Sequence, residues 1–227
     1  MNQRFGDILI DRVRRLARVS AIASVSDRFV LRRESRKPVE LLAIGASTGG
    51  LPALSGLLTG LSATFTSPIL VTQHLPPAFM PYFANQLASL AGRPTRVAVE
   101  GDVFVAGSIV VAPGTAHLGV ERVDDRLIVR LSSEARASRC CPSVDPMLSA
   151  VARVTGPGAV AVVLTGMGRD GALGADDVVA AGGSVLVQDQ ASSAVWGMPG
   201  TVARAGLASV VGTPKELARH LMLRGSV

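Results

Sequence analysis

Residues 41–50 read L-L-A-I-G-A-S-T-G-G. The run ELLAIGA (40–46) is apolar, of strand length, and gives way abruptly to small residues and glycines. That is the pattern of a strand buried on both faces that turns sharply into a helix, expected here over about residues 50–58. The same alternation recurs along the chain. PILVTQ (68–73) precedes a helical pattern over about 77–91, GAVAVVLT (158–165) precedes one over about 171–181, GSVLVQ (183–188) follows, and a last helix starts near Pro214. SIVVAP (108–113), AHLGVER (116–122) and RLIVRLS (126–132) are closely spaced, with Gly-Thr and Asp-Asp at the breaks. The expected fold is α/β: a doubly wound, mostly parallel sheet with helices on both faces and an inserted antiparallel β-hairpin or meander.

Outward from this body, charge separates the chain into two parts. The 227 residues include 23 Lys+Arg and 17 Asp+Glu, a net charge of +6. Residues 1–40 hold 10 of the basic and 5 of the acidic side chains, so the excess lies in a short arm and the rest is near neutral. Within that arm, Phe5, Ile8, Leu9, Val13 and Leu16 sit at helical spacing, and residues 19–39 read as a linker. The expected organisation is therefore 1–39 as a basic helix plus linker and 40–227 as one globular domain.

Composition excludes several classes. With 48% apolar and 18% charged residues the chain is not disordered, and its length supports a core without disulfides or metals. No apolar run approaches the ~18–20 residues of a membrane span. Arg4, Asp7, Asp11, Arg12 and Arg14 interrupt the start of the chain, so no signal peptide is expected. A cytoplasmic protein without membrane insertion follows as the expectation. With few aromatics and a near-neutral body, nucleic acid is not an expected partner. Cys140 and Cys141 are adjacent, with Cα atoms ~3.8 Å apart, short of the usual disulfide range, and are expected as reduced thiols. Cys-x-x-Cys spacing is absent, so no metal site is expected.

In an open α/β sheet, ligands and catalytic groups gather beyond the carboxyl ends of the strands. Ser47 follows the first apolar run, His74 the second, and Asp170 lies shortly after 158–165. A hydroxyl, an imidazole and a carboxylate are the types a nucleophile, its base and an orienting acid require. Gly45-Ala46-Ser47-Thr48-Gly49 also satisfies G-x-S-x-G, although a glycine-rich turn before a helix can equally cradle a phosphate. His117 is the reserve base, and His220 is expected at a helix surface. Asp170 and Asp145 both also fit the role of helix N-cap.

These segments together resemble a known family. L-A-I-G-A-S-T-G-G (42–50), T-Q-H-L-P-P (72–77), A-P-G-x-x-H (112–117), P-S-V-D (142–145), L-T-G-M-G-x-D-G-A (164–172) and V-W-G-M-P (195–199) are similar to the catalytic domain of the chemotaxis protein-glutamate methylesterases, the CheB type. The resemblance implies a serine-type ester hydrolase with Ser47 as nucleophile, His74 as general base and Asp170 orienting the histidine. It implies hydrolysis of glutamate γ-methyl esters on the cytoplasmic domains of chemoreceptors, releasing methanol, with glutamine deamidation in some members and no cofactor. Backbone N–H groups around Thr48, Met167 and Gly168 are the candidate oxyanion donors.

The chain departs from the family pattern in two places. Family members usually carry an N-terminal phosphorylatable receiver domain; residues 5–18 resemble only its last helix. R-C-C-P-S-V-D also differs from the commoner R-x-R-P-S-V-D, so Arg139 and Cys141 are candidate substrate-binding positions with Cys141 in place of a basic residue. Two other readings stand beside this one: a non-catalytic Rossmann-like module binding a receptor or nucleotide, and an esterase acting on small metabolites.

Overall fold

Each apolar run at 40–46, 68–73, 158–165 and 183–188 becomes a strand in the structure, a computed structural model that describes residues 29–134 and 139–225. The helix expected over 5–18 lies outside the described residues. In chain order the main-sheet strands are β1 (Leu41–Ala46), β2 (Ile69–Gln73), β3 (Thr95–Val97), β4 (Ile109–Val111), then β7 (Ala159–Val163), β8 (Ser184–Gln188) and β9 (Val210–Gly212). They lie in the order β3-β4-β2-β1-β7-β8-β9, with all neighbours parallel. Between β4 and β7, β5 (His117–Val123) and β6 (Arg126–Ser132) pair as an antiparallel hairpin whose turn residue Asp124 has φ 52°.

Helices cover both faces. α1 (Gly50–Leu58), α2 (Met80–Ala91, after a 3-10 turn at Pro77–Phe79) and α6 (Pro214–Arg224) pack on one side; α3 (Val144–Thr155), α4 (Ala172–Ala180) and α5 (Met198–Arg204) pack on the other. The pleat assigns alternate residues to the two cores. Leu42, Ile44 and Ala46 of β1 join Leu54 and Leu57 of α1 and Leu217 of α6, while Leu41 and Ala43 join Met147, Leu148 and Val151 of α3. A parallel sheet is covered on both faces in this way, which is why its central strands β1, β4 and β7 are apolar throughout.

The run 108–113 goes into the parallel sheet as β4, so the insert is a two-strand hairpin and not a three-strand meander. The reason is burial: Ile109, Val110 and Val111 are all fully buried, as a central parallel strand requires, whereas β5 and β6 keep one side towards solvent. Four elements, β3, β9, α3 and α5, go beyond the sequence expectations. Residues 29–39 run along the body. The N–H groups of Arg32, Ser35 and Val39 donate to the Ala208 carbonyl, the Ser184 hydroxyl and the Gly225 carbonyl, and Val39 is fully buried. The Phe29 ring packs tilted against Trp196 with centroids 5.5 Å apart, and Glu34 pairs with His220 at 2.7 Å.

Candidate active site

β2, β1 and β7 are adjacent at the centre of the sheet, so their carboxyl ends open on one rim. Ser47 is the first residue beyond β1, His74 the first beyond β2, and Asp170 lies in the loop between β7 and α4. The turn at Ser47 is fixed from three sides. Its N–H donates to the Thr165 carbonyl (3.0 Å), and its own carbonyl accepts from Gly50 N–H (2.9 Å) and Gln73 Nε2 (2.8 Å). Gly166 must lack a side chain, because a Cβ there would lie 2.7 Å from Ser47 Cβ and 2.3 Å from Met198 Sδ.

His74 is anchored through its backbone to the Ala46 carbonyl (3.2 Å), and its Nε2 meets Asp170 Oδ2 at 2.8 Å. Asp170, only 3% exposed, accepts five hydrogen bonds: from His74 and Val144 N–H at Oδ2, and from Ser143 Oγ, Asp145 N–H and Gly171 N–H at Oδ1. Burial alone would raise its pKa, but the hydrogen bonds from His74, Val144 and Ser143 outweigh it and hold the carboxyl below its ordinary value. An ionised carboxylate at Nε2 selects the tautomer with its proton on Nε2, which leaves Nδ1 as the basic nitrogen. Ser47 and His74 line one groove of about 450 Å³, walled by Leu75, Phe79, Tyr82 and Phe83. Among the described residues the Ser47 hydroxyl makes no hydrogen bond to the imidazole; such contacts commonly tighten only with substrate bound. A fixed carboxylate, an imidazole oriented by it and a hydroxyl in the same groove can carry out nucleophilic acyl transfer.

A sequence model of the CheB methylesterase family matches residues 42–221. This chain belongs to that family. The CheB methylesterase catalytic domain of Thermotoga maritima has the same fold, with a TM-score of 0.79 and 32% identity over 82% of this chain and 98% of that one. A protein-glutamate methylesterase/protein-glutamine glutaminase of Rhodopseudomonas palustris (strain HaA2) is 41% identical over 89% of this chain and 53% of its own length. A second, from Paramagnetospirillum magneticum, is 41% identical over 85% and 51%. The chain thus spans about half the length of the curated relatives it matches.

The remaining candidates of this CheB-family chain separate by position. Among the described residues the N–H groups of Thr48, Met167 and Gly168 donate to no protein acceptor; Thr48 and Met167 are exposed, and Gly168 has φ 85°. Arg139 and Cys141 are exposed and do not line the Ser47 groove. His117 is withdrawn from base chemistry: it is buried, with Nδ1 accepting from Ser143 N–H (2.9 Å) and Nε2 at 2.8 Å from the Glu134 carbonyl. The N-cap position of α3 is Ser143 and not Asp145, whose carboxylate instead accepts from Gly174 N–H at 3.0 Å. Ser143 forms no side-chain cap bond; the N–H groups of Val144 and Asp145 donate to Asp170 instead, and the Ser143 hydroxyl also donates there at 2.7 Å. Asp170 caps α3, which precedes it in sequence, as well as bonding its neighbour Gly171.

Three residues at the site carry no motif of their own. Gln73 and Ser143 lie inside the family segments but act through contacts that only the fold creates. Cys140 comes to His74 and Asp170, with the three ligand atoms within 4.8 Å of one another. No sequence spacing signals that meeting, since the three residues come from separate elements.

Proposed function

We propose that this chain is the catalytic unit of a protein-glutamate methylesterase working through Ser47, His74 and Asp170. The observation that carries the reading is the 2.8 Å pair between His74 Nε2 and a buried, five-fold hydrogen-bonded Asp170, with His74 lining the same groove as a serine on a sharp strand-to-helix turn. Nδ1 of His74 takes the Ser47 proton as the hydroxyl oxygen attacks the ester carbonyl. The imidazolium, stabilised by Asp170, then protonates the departing methoxide, leaving methanol and an acyl-serine that water cleaves by the same steps in reverse. With a glutamine side chain the leaving group is ammonia, which fits the double activity in the relatives' names. Thr48, Met167 and Gly168 supply N–H donors for the oxyanion.

The substrate class is the γ-methyl glutamate on cytoplasmic helices of chemoreceptors, and the setting is the cytoplasm. Among the described residues no helix is long and apolar enough to cross a membrane. Exposed Phe79 and Tyr82 beside the groove supply an apolar ledge for a receptor helix. Regulation through a phosphorylatable receiver domain belongs to the same reading. The non-catalytic phosphate-loop alternative gives no role to the His74–Asp170 pair. The test is methanol release from methylated receptor membranes. Ser47→Ala is expected to lower the rate by at least ~10³-fold with unchanged Tm; a variant keeping most activity would rule out the serine mechanism. A small acyl ester assayed in parallel separates receptor specificity from general esterase action.

A further inference from the structure

Cys140 stands at the triad without a part in the ester chemistry. Its Sγ, a ring nitrogen of His74 and a carboxylate oxygen of Asp170 lie within 4.8 Å of one another. Nitrogen, thiolate sulfur and carboxylate oxygen are the three ligand types of zinc, and three protein ligands leave a tetrahedral ion one open position. A tetrahedral zinc holds such atoms about 3.3–3.6 Å apart, so the 2.8 Å His74–Asp170 contact has to open only slightly and the sulfur to close in. The carboxylate is already fixed by Ser143, Val144, Asp145 and Gly171, the kind of outer support that orients a metal ligand. Cys140 itself lies three residues before Ser143, whose N–H is tied to His117. One divalent cation against a thiolate and a carboxylate is charge-neutral.

We propose that His74, Cys140 and Asp170 form a zinc site and that zinc bound there switches the esterase off. Nε2, the nitrogen already shared with Asp170, gives up its proton position to the metal. The imidazole stays neutral with its proton moved to Nδ1, and the Cys140 thiol releases one proton to solvent. An Nδ1–H group donates and cannot take the Ser47 proton. The inhibition rests on His74 being the base proposed above; the binding does not.

Cobalt(II) takes the same tetrahedral ligands and, unlike zinc, absorbs light. Titrated into the full chain kept reduced by a phosphine, it is expected to give a thiolate-to-cobalt charge-transfer band that saturates at one equivalent. Cys140→Ser loses the band, Cys141→Ser keeps it, and His74→Gln weakens binding at least ~10-fold. In the methanol-release assay, with each protein scaled to its own metal-free rate, Cys140→Ser needs at least ~10-fold more zinc for half inhibition. Absence of the band in the unaltered chain, or its survival in Cys140→Ser, overturns the site. A saturated cobalt or zinc site with undiminished ester hydrolysis overturns the switch. A chain with no ester hydrolysis at all fails the proposed function, while the cobalt band still decides the site.

Discussion

Asp170 uses both carboxylate oxygens as acceptors, and so it is a position where an isosteric change cannot be silent. In Asp170→Asn one oxygen becomes an NH₂ that must face either the Ser143 hydroxyl and two N–H groups, or His74 and Val144 N–H. The second arrangement drives the His74 proton to Nδ1, the nitrogen that takes the Ser47 proton in the proposed mechanism. The expected result is a kcat lower by about 10³–10⁴-fold, with unfolding free energy reduced by about 1–3 kcal/mol from unpaired buried donors. Steady-state methanol release and urea melts measure the two effects. The Asp170 carboxyl is lowered in the folded state, so its stabilisation is fully present above the unfolded pKa of ~3.9 and is lost as pH falls through the folded value. Of this residue the sequence displayed the position and the acid type, since glycines flank it after a buried run. It could not display the partners, because Ser143, Val144 and Asp145 reach Asp170 only through tertiary packing.

α3 shows how an element's end can depend on another element's loop. Its first N–H groups are accepted by Asp170 and its neighbour Asp145 accepts from Gly174 at the start of α4, so the two helices share a pair of carboxylates at their amino ends. Burial pushes the Asp145 carboxyl up to about 6, and the Asp170 charge adds to that rise against the lowering effect of Gly174 N–H. The sign is opposite to that of Asp170: the folded state holds this proton more tightly, so stability falls as pH rises from ~3.9 to about 6. Asp145→Asn keeps an oxygen for Gly174 and removes the charge. Thermal melts from pH 4 to 8 are expected to show that fall flattened and a higher Tm than the unaltered chain at pH 8; equal pH profiles would count against the charge conflict. At this scale the periodic elements were legible where a local rule sufficed. Thr213, Pro214 and Glu216 make a capping box that a sequence displays by itself. β3 and β9, three residues each, are defined by what they pair with and carry too little pattern to be read alone.

At the scale of the molecule, the segment before β1 is part of the packed body as far back as Phe29. Removing residues 1–39 takes away the Phe29–Trp196 contact, the buried Val39 and three backbone hydrogen bonds, and removing 1–28 takes away none of these. The longer deletion is expected to lose on the order of 2–3 kcal/mol more, seen as a Tm roughly 5–10 °C lower. A composition shift marks where a chain changes character; it does not mark where packing stops, which is why the run 29–39 looked like a linker. The same distinction applies to the strand order. β1 already has β2 beside it soon after synthesis, but its other neighbour, β7, pairs Ala159 with Leu41 across most of the domain's length. Long-range parallel pairing of this kind is slow and late. Ser47 and His74 therefore leave the ribosome long before Asp170 can hold the imidazole, and the His74–Asp170 pair forms only once β7 closes on β1. The ester hydrolysis proposed above therefore requires the completed sheet, and a chain ending before β7 leaves the apolar edge of β1 open.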